Sequence, residues 1–133
     1  MSAMATFFEI MSYVEKGMTK YNVQEPGNSL PQSLKNILDY ISKNFVTIKT
    51  VNQIADHFGL SLSTLERYFK KNLAMTPKRY LEDKKLQNAR DLLLQNQSVT
   101  YACYESGFDD YSHFITIFKK RFQTTPFQYK KNI

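Results

Sequence analysis

The chain has 133 residues, 42% hydrophobic and 14% aromatic, enough for one small domain or two very small ones and too apolar for a disordered tail. Its net charge of +6 is uneven: residues 1–30 carry Lys16 and Lys20 against Glu9, Glu15 and Glu25, so residues 31–133 hold +7, a balance that favours a polyanionic partner. A single cysteine, Cys103, excludes a disulfide within the chain, and there is neither an apolar run of membrane-spanning length nor a basic-headed leader, so a soluble cytoplasmic protein is expected.

In residues 3–21 the spacing of Phe7, Ile10, Met11, Val14, Met18 and Tyr21 predicts an amphipathic helix. Residues 22–29, with Pro26-Gly27, read as a linker. A second helix is expected from about Pro31, with a buried stripe of Leu34, Ile37, Leu38, Ile41 and Phe45. Thr50 then caps a helix whose face is Val51, Ile54, Ala55 and Phe58, ending at Gly59. Ser61 caps the next, which runs to about Asn72 and buries Leu65, Tyr68 and Phe69. Thr76-Pro77 opens a long helix with apolar positions Tyr80, Leu81, Leu86, Ala89, Leu92 and Leu93, fading at Gln95-Asn96. From Ser98 a helix is expected to Ser106, with Gly107 in the turn, Asp109 or Asp110 as the next cap and a helix to Phe122. Thr125-Pro126 opens a last short helix, and nowhere do β-branched residues alternate as a strand requires.

The second half of this order repeats the first. Phe69-Lys70-Lys71, Thr76-Pro77 and Tyr80 recur 49 positions later as Phe118-Lys119-Lys120, Thr125-Pro126 and Tyr129. Val51, Ile54, Ala55 and Gly59 match Val99, Ala102, Cys103 and Gly107 at an offset of 48, so the turn of the second copy holds one extra residue. Such a repeat marks two copies of one supersecondary unit. Each copy has the parts of a helix-turn-helix: a small residue in the first helix (Ala55, Cys103), a glycine in the turn (Gly59, Gly107) and an apolar anchor in the second helix (Leu65, Phe114). Cys103 therefore reads as a small packing residue. The connecting helix from Pro77 to Gln95 spans about 28 Å, close to the roughly 34 Å between successive major grooves on one face of DNA.

On these residues the chain resembles the AraC/XylS transcriptional regulators over about residues 31–131. Ile54-Ala55, Gly59-Leu60-Ser61, Leu65, Phe69-Lys70-Lys71, Thr76-Pro77 and Tyr80-Leu81 look like the family's first motif. Leu86, Ala89-Arg90 and Leu92-Leu93 look like its connecting helix. Gly107-Phe108, Tyr111-Ser112, Phe114, Phe118-Lys119, Pro126 and Tyr129 look like its signature segment. The resemblance implies an all-α fold: two helix-turn-helix subdomains joined by a long connecting helix, here with an extra N-terminal amphipathic helix. The expected division is residues 1–30 as N-terminal helix and linker and 31–133 as DNA-binding domain. Within the latter, 50–73 is the first helix-turn-helix, 76–96 the connecting helix and 98–123 the second.

The resemblance further implies sequence-specific binding of double-stranded DNA by a bacterial transcriptional regulator, with recognition helices in two successive major grooves. By the family's motif, Ser63, Glu66 and Arg67 occupy base-reading positions in the first copy. Arg67 can donate two hydrogen bonds to a guanine edge and Glu66 can accept from a cytosine amine; pairing of Glu66 with Lys70 at i,i+4 is the alternative. The second copy offers Tyr111, Ser112, Ile115 and Thr116. Here the sequence departs from the family pattern: Thr116 stands where arginine is frequent, and Ile115 where a polar residue is usual. Either can touch a thymine methyl, or Ile115 packs on a neighbouring helix. Lys70, Lys71, Lys119, Lys120 and Arg121 suit phosphate contact at helix C-termini, and Thr76 and Thr125 open helices whose amides can bind phosphate.

No catalytic constellation, glycine-rich phosphate loop or metal-ligand spacing around His57 and His113 is present, so neither an enzyme, a cofactor nor a metal is expected. The competing reading is a helical protein-interaction module that has lost specific DNA readout. Expected partners are duplex DNA, RNA polymerase by the family resemblance, and a second copy of the chain through residues 3–21, with no membrane; the expected location is the cytoplasm, on the nucleoid. Residues 3–21 are either the last helix of a sensor or dimerisation domain or the arm of a small regulator.

Overall fold

The structure, a computed structural model, describes residues 30–132; the helix expected over residues 3–21 and the linker at 22–29 lie outside the described residues. Helices follow one another as α1 (Gln32–Asn44), α2 (Val51–His57), α3 (Leu62–Leu73), α4 (Pro77–Leu94), α5 (Val99–Glu105), α6 (Tyr111–Phe122) and α7 (Pro126–Lys131). Among the described residues there is no strand, and the fold is all-α.

Capping chemistry sets where these helices begin. Thr50, Ser61, Thr76, Ser98, Asp110 and Thr125 each accept a hydrogen bond from the backbone N–H three residues on. Such a cap is worth about 1 kcal/mol over alanine. Thr50 and Thr125 form full capping boxes with Gln53 and Gln128. Of the two aspartates that the sequence offers as the cap of α6, Asp110 takes the role and Asp109 turns to Lys49.

The ends of α2, α4 and α5 share one device. After α2, Gly59 N–H donates to the Asp56 carbonyl and Leu60 N–H to that of Ala55; after α5, Gly107 bonds Tyr104 and Phe108 bonds Cys103 in the same way. These are Schellman motifs, which need a left-handed residue just past the helix. Gly59 (φ 65°) and Gly107 (φ 99°) supply it, and Asn96 (φ 66°) does so after α4. Helices α3 and α6 end on left-handed residues that are not glycine, Ala74 (φ 56°) and Gln123 (φ 62°), at equivalent places in the two copies.

Packing follows the repeat. In the first copy Ile54, Ala55, Leu65 and Phe69 are buried, and α2 packs on α3 and both on α4. Tyr40 of α1 stacks on His57 at 4.0 Å between ring centroids, which fastens α1 to α2. In the second copy Ala102, Cys103, Phe108, Phe114 and Phe118 form one core with Leu86, Ala89 and Leu93 of α4. Burial pushes the Cys103 thiol up to about 11, with Asp110 and Asp109 adding to the shift, so it is a protonated packing group at neutral pH. Leu38, Phe45, Tyr68, Tyr80 and Leu92, expected in the core, are only half-buried.

Helix α4 thus belongs to both copies, and the copies also meet directly. The turn at Gly107 lies against the loop between α1 and α2: a Cβ on Gly107 would come within 2.6 Å of the Val46 carbonyl oxygen. A Cβ on Gly59 would meet nothing within 4 Å. The two turn glycines are equivalent in sequence and unequal in structure. Gly59→Ala is expected to cost about 1 kcal/mol, the strain of a left-handed alanine. Gly107→Ala adds a backbone collision and is expected to cost more than about 3 kcal/mol. Urea denaturation of both variants checks this; equal costs would show that the seam at Gly107 is loose.

Candidate nucleic-acid interface

The second helix of each copy, α3 and α6, presents one face to the core and one to solvent. On α3, Leu65 and Phe69 are fully buried, while Ser63, Glu66, Arg67, Lys70 and Lys71 are exposed. Thr64 is half-buried and accepts from the Ser61 hydroxyl at 2.9 Å and weakly from Arg67 Nη2 at 3.4 Å. Arg67 therefore leans along its own helix with most of its five donors unused. Among the described residues no ion pair joins Glu66 to Lys70, so the i,i+4 alternative for Glu66 is not formed.

On α6, Phe114 and Phe118 are buried, and Ser112, Thr116, Lys119 and Lys120 are exposed. Ile115 is half-buried and packs on the second core beside Tyr111, so its side chain serves the fold first. Tyr111 in turn lies 6.4 Å from the Tyr104 ring in a stacked arrangement. The Thr116 hydroxyl donates to the Ser112 carbonyl at 3.0 Å, which spends its only proton inside the helix. What it offers outward is a methyl group and an acceptor.

The basic residues divide. Lys70, Lys71, Lys119 and Lys120 sit in the last turns of α3 and α6, exposed and without an ion-pair partner among the described residues. Arg121, expected to meet phosphate, is turned inward instead: its Nε donates to Asp83 Oδ1 of α4 at 3.0 Å, and its guanidinium lies 5.7 Å from the Phe122 ring centre. Asp83, only 13% exposed, also receives Arg79 at 3.5 Å. At the other end of α6, His113 Nε2 lies 3.5 Å from Glu82 of α4. Both ends of α6 are therefore tied to α4. Thr76 and Thr125 use their hydroxyl oxygens as caps, accepting from Arg79 and Gln128.

One groove of about 530 Å³ joins the two copies. Leu62 and Glu66 of α3 form part of it, Lys78, Leu81, Glu82 and Lys85 of α4 its floor, and Asp109, Asp110 and His113 at the start of α6 the opposite part. The second helices of the two copies thus open onto the same side of α4. Lys78, Glu82, Asp83 and Lys85 were not singled out by sequence. Lys78 carried a signal, a basic residue in the first turn after Thr-Pro, and so did Lys85, four residues from both Leu81 and Ala89 on the apolar face; Glu82 and Asp83 looked like ordinary polar positions of a long helix.

The chain matches the helix-turn-helix domain family over residues 54–132. It is 36% identical over 110 residues to the HTH-type transcriptional activator RhaS of Escherichia coli, an alignment covering 82% of this chain and 40% of RhaS. The chain thus spans well under half the length of the curated relatives it matches. Among solved structures it is similar to the C-terminal domain of the two-component response regulator yesN from Fusobacterium nucleatum, at 31% identity and a TM-score of 0.70, covering 75% of this chain and 99% of that one. It is also similar to a transcriptional regulator of the AraC-type DNA-binding domain-containing proteins from Chromobacterium violaceum, at 28% identity and a TM-score of 0.68, covering 75% and 90%.

The two neighbouring positions on α6 are separable by experiment. Ile115→Ala is expected to lower stability by about 1–2 kcal/mol, because the side chain is half in the core. Thr116→Ala should change it by no more than about 0.5 kcal/mol, as surface positions do. Chemical denaturation with circular dichroism reads both; a neutral Ile115→Ala would return that residue to the outer face.

Proposed function

The chain belongs to the AraC/XylS family of transcriptional regulators, DNA-binding proteins rather than enzymes, and from that premise we propose that it binds duplex DNA sequence-specifically with α3 and α6 in successive major grooves. The observation that carries this reading is the shared groove: Glu66 of α3 and His113 of α6 line it together, with α4 between them. Helix α4 carries Lys78, Glu82 and Lys85 into that groove and is the element on which both second helices are set.

In this reading the two heads differ in chemistry. Arg67, with Ser63 and Glu66 beside it, reads by hydrogen bonds, and a bidentate arginine–guanine contact is worth about 1–3 kcal/mol of discrimination. On α6, Ser112 and Thr116 face outward while Tyr111 and Ile115 are half-buried, so this head has a weaker hydrogen-bonding repertoire and makes apolar contact with thymine methyls through Thr116. Lys70, Lys71, Lys119 and Lys120 meet phosphate, as do the amides that follow Thr76 and Thr125. Arg121, committed to Asp83, is left out of the phosphate set. Contact with RNA polymerase and pairing of two chains through residues 3–21 are part of the same proposal, the first by family, the second by the apolar face of that segment.

Affinity for duplex DNA should fall steeply with salt as bound counterions are released, with a log–log slope of about −0.9 for each phosphate neutralised. Fluorescence anisotropy at several salt concentrations measures this, and hydroxyl-radical footprinting should show two protected patches one turn apart. Binding indifferent to salt would favour the protein-interaction module instead, and protection of one groove alone would remove the second head.

Arg67→Ala should cost about 1–3 kcal/mol on the selected site and relax preference at one base pair. Lys120→Ala should weaken binding to all sequences by similar factors and reduce the salt slope by about 1. Competition binding against single-base variants separates the two; the reverse pattern would mean the faces are exchanged.

A further inference from the structure

Lys85 lies midway along α4 and is only 6% exposed. Its ammonium donates to the Ile48 carbonyl at 2.8 Å and to the Gly107 carbonyl at 3.1 Å. Ile48 belongs to the loop that leads into α2, Gly107 to the turn that leads into α6. One side chain thus bonds the entry of each helix-turn-helix from the helix that joins them. Lys49 crosses the same seam, with its Nζ 2.9 Å from Asp109 Oδ1 and 3.4 Å from the Gly107 carbonyl oxygen. The Gly107–Val46 approach closes the junction.

We propose that Lys85, with the Lys49–Asp109 pair, is a register latch: a positioning residue that holds the two recognition helices at one separation and rotation, and so sets the half-site spacing the protein accepts. This rests on the two-headed reading above. The physical need is plain. Adding one base pair between half-sites moves the second by about 3.4 Å and turns it by about 35°. Heads joined by a compliant seam follow that change at little cost; heads joined by a stiff one do not. Both copies pack on α4, and where the loop before α2 meets the turn before α6 this seam adds a direct brace against rotation of one copy relative to the other. Two directed bonds from one buried donor, to carbonyls on opposite sides, resist both separation and twist. The donors also satisfy backbone oxygens that a turn and a loop leave without helical partners.

The test uses the full chain and a double site obtained by selection from random duplexes, then lengthened or shortened by one and two base pairs between the half-sites. Wild type should lose at least about tenfold in affinity at each change of one base pair, since the second contact no longer gains from linkage to the first. Lys85→Met keeps the apolar stem and removes the donor. It should retain helical circular dichroism and single-half-site binding, yet discriminate among spacings by less than about threefold. Lys85→Arg, which keeps charge and donors, should restore much of the preference. A folded Lys85→Met that discriminates as wild type does overturns the latch and leaves two-headed binding standing. A wild type indifferent to spacing overturns both. Loss of discrimination in Lys85→Arg to the level of Lys85→Met would assign the effect to packing and also overturn it. Should Lys85→Met fail to fold, Lys49→Met and Asp109→Asn report on the same seam from exposed positions: relaxed spacing supports the latch, and unchanged spacing in both refutes it.

Discussion

A buried ammonium has to find oxygen. Moving a lysine out of water costs several kcal/mol, and in this fold the cost is met by two backbone carbonyls from opposite halves of the molecule, those of Ile48 and Gly107. Hydrogen bonds from a charged donor are worth about 1.5–3 kcal/mol each, so the sum lies near zero and the arrangement contributes geometry more than stability. The pKa direction agrees. Burial lowers Lys85 from its ordinary value, with Lys49 adding to the effect and Asp109 and Glu82 opposing it. A lysine depressed in the folded state binds its proton more weakly than in the unfolded chain. Its contribution therefore becomes more favourable as pH rises from the lowered value to the ordinary lysine range, and at neutral pH the charge is held at some expense. The junction thus joins the entries of both helix-turn-helices to one side chain of the helix they share.

Most of the fold was legible because its signals are local. Caps at Thr50, Ser61, Thr76, Ser98 and Thr125, prolines at the starts of α4 and α7 and the turn glycines act within four residues of themselves, and each is where the spacing predicts it. The repeat doubled every such signal. What escaped was non-local or chemically mute. Ala74 and Gln123 end α3 and α6 in the left-handed region without being glycine, and no residue type announced this. Gly59 and Gly107 look alike in sequence, yet only Gly107 faces a second backbone. Asp110 rather than Asp109 caps α6, and Asp109 meets Lys49, 60 positions away in the chain.

The candidate interface was legible to a similar depth. Exposure of Ser63, Glu66, Arg67, Lys70 and Lys71 follows from helical periodicity once Leu65 and Phe69 are assigned to the core. The same periodicity left Ile115 undecided, since it sits at the edge of the apolar stripe; packing against the second core decides it. Arg121 illustrates the limit. A basic residue in the last turn of a helix suits the dipole whether it faces phosphate or a carboxylate. The partner that claims it, Asp83, is on another helix and 38 positions earlier. Charge that a sequence assigns to a binding surface is available there only if the fold does not bring an opposite charge to it first.

Lys85 shows why such a junction hides. In α4 it stands four residues after Leu81 and four before Ala89, on the apolar face, and only its residue type reads as solvent-facing. Lysine, though, has a long apolar stem with a charged tip. From the inner side of α4 that stem delivers the ammonium to the seam, with its nitrogen 5.9 Å from the centre of the Phe108 ring. A leucine of similar bulk would fill the space, take this donor from the Ile48 carbonyl and leave the Gly107 carbonyl with only the longer bond from Lys49. An exposed ion pair could link the halves, as Lys49 and Asp109 do, but exposed pairs contribute little and are weakened by salt. A protein whose ligand is a polyelectrolyte works in a dense ionic atmosphere. A buried donor bonded to neutral carbonyls is screened least by those ions, which makes it the more durable way to hold α3 and α6 in register.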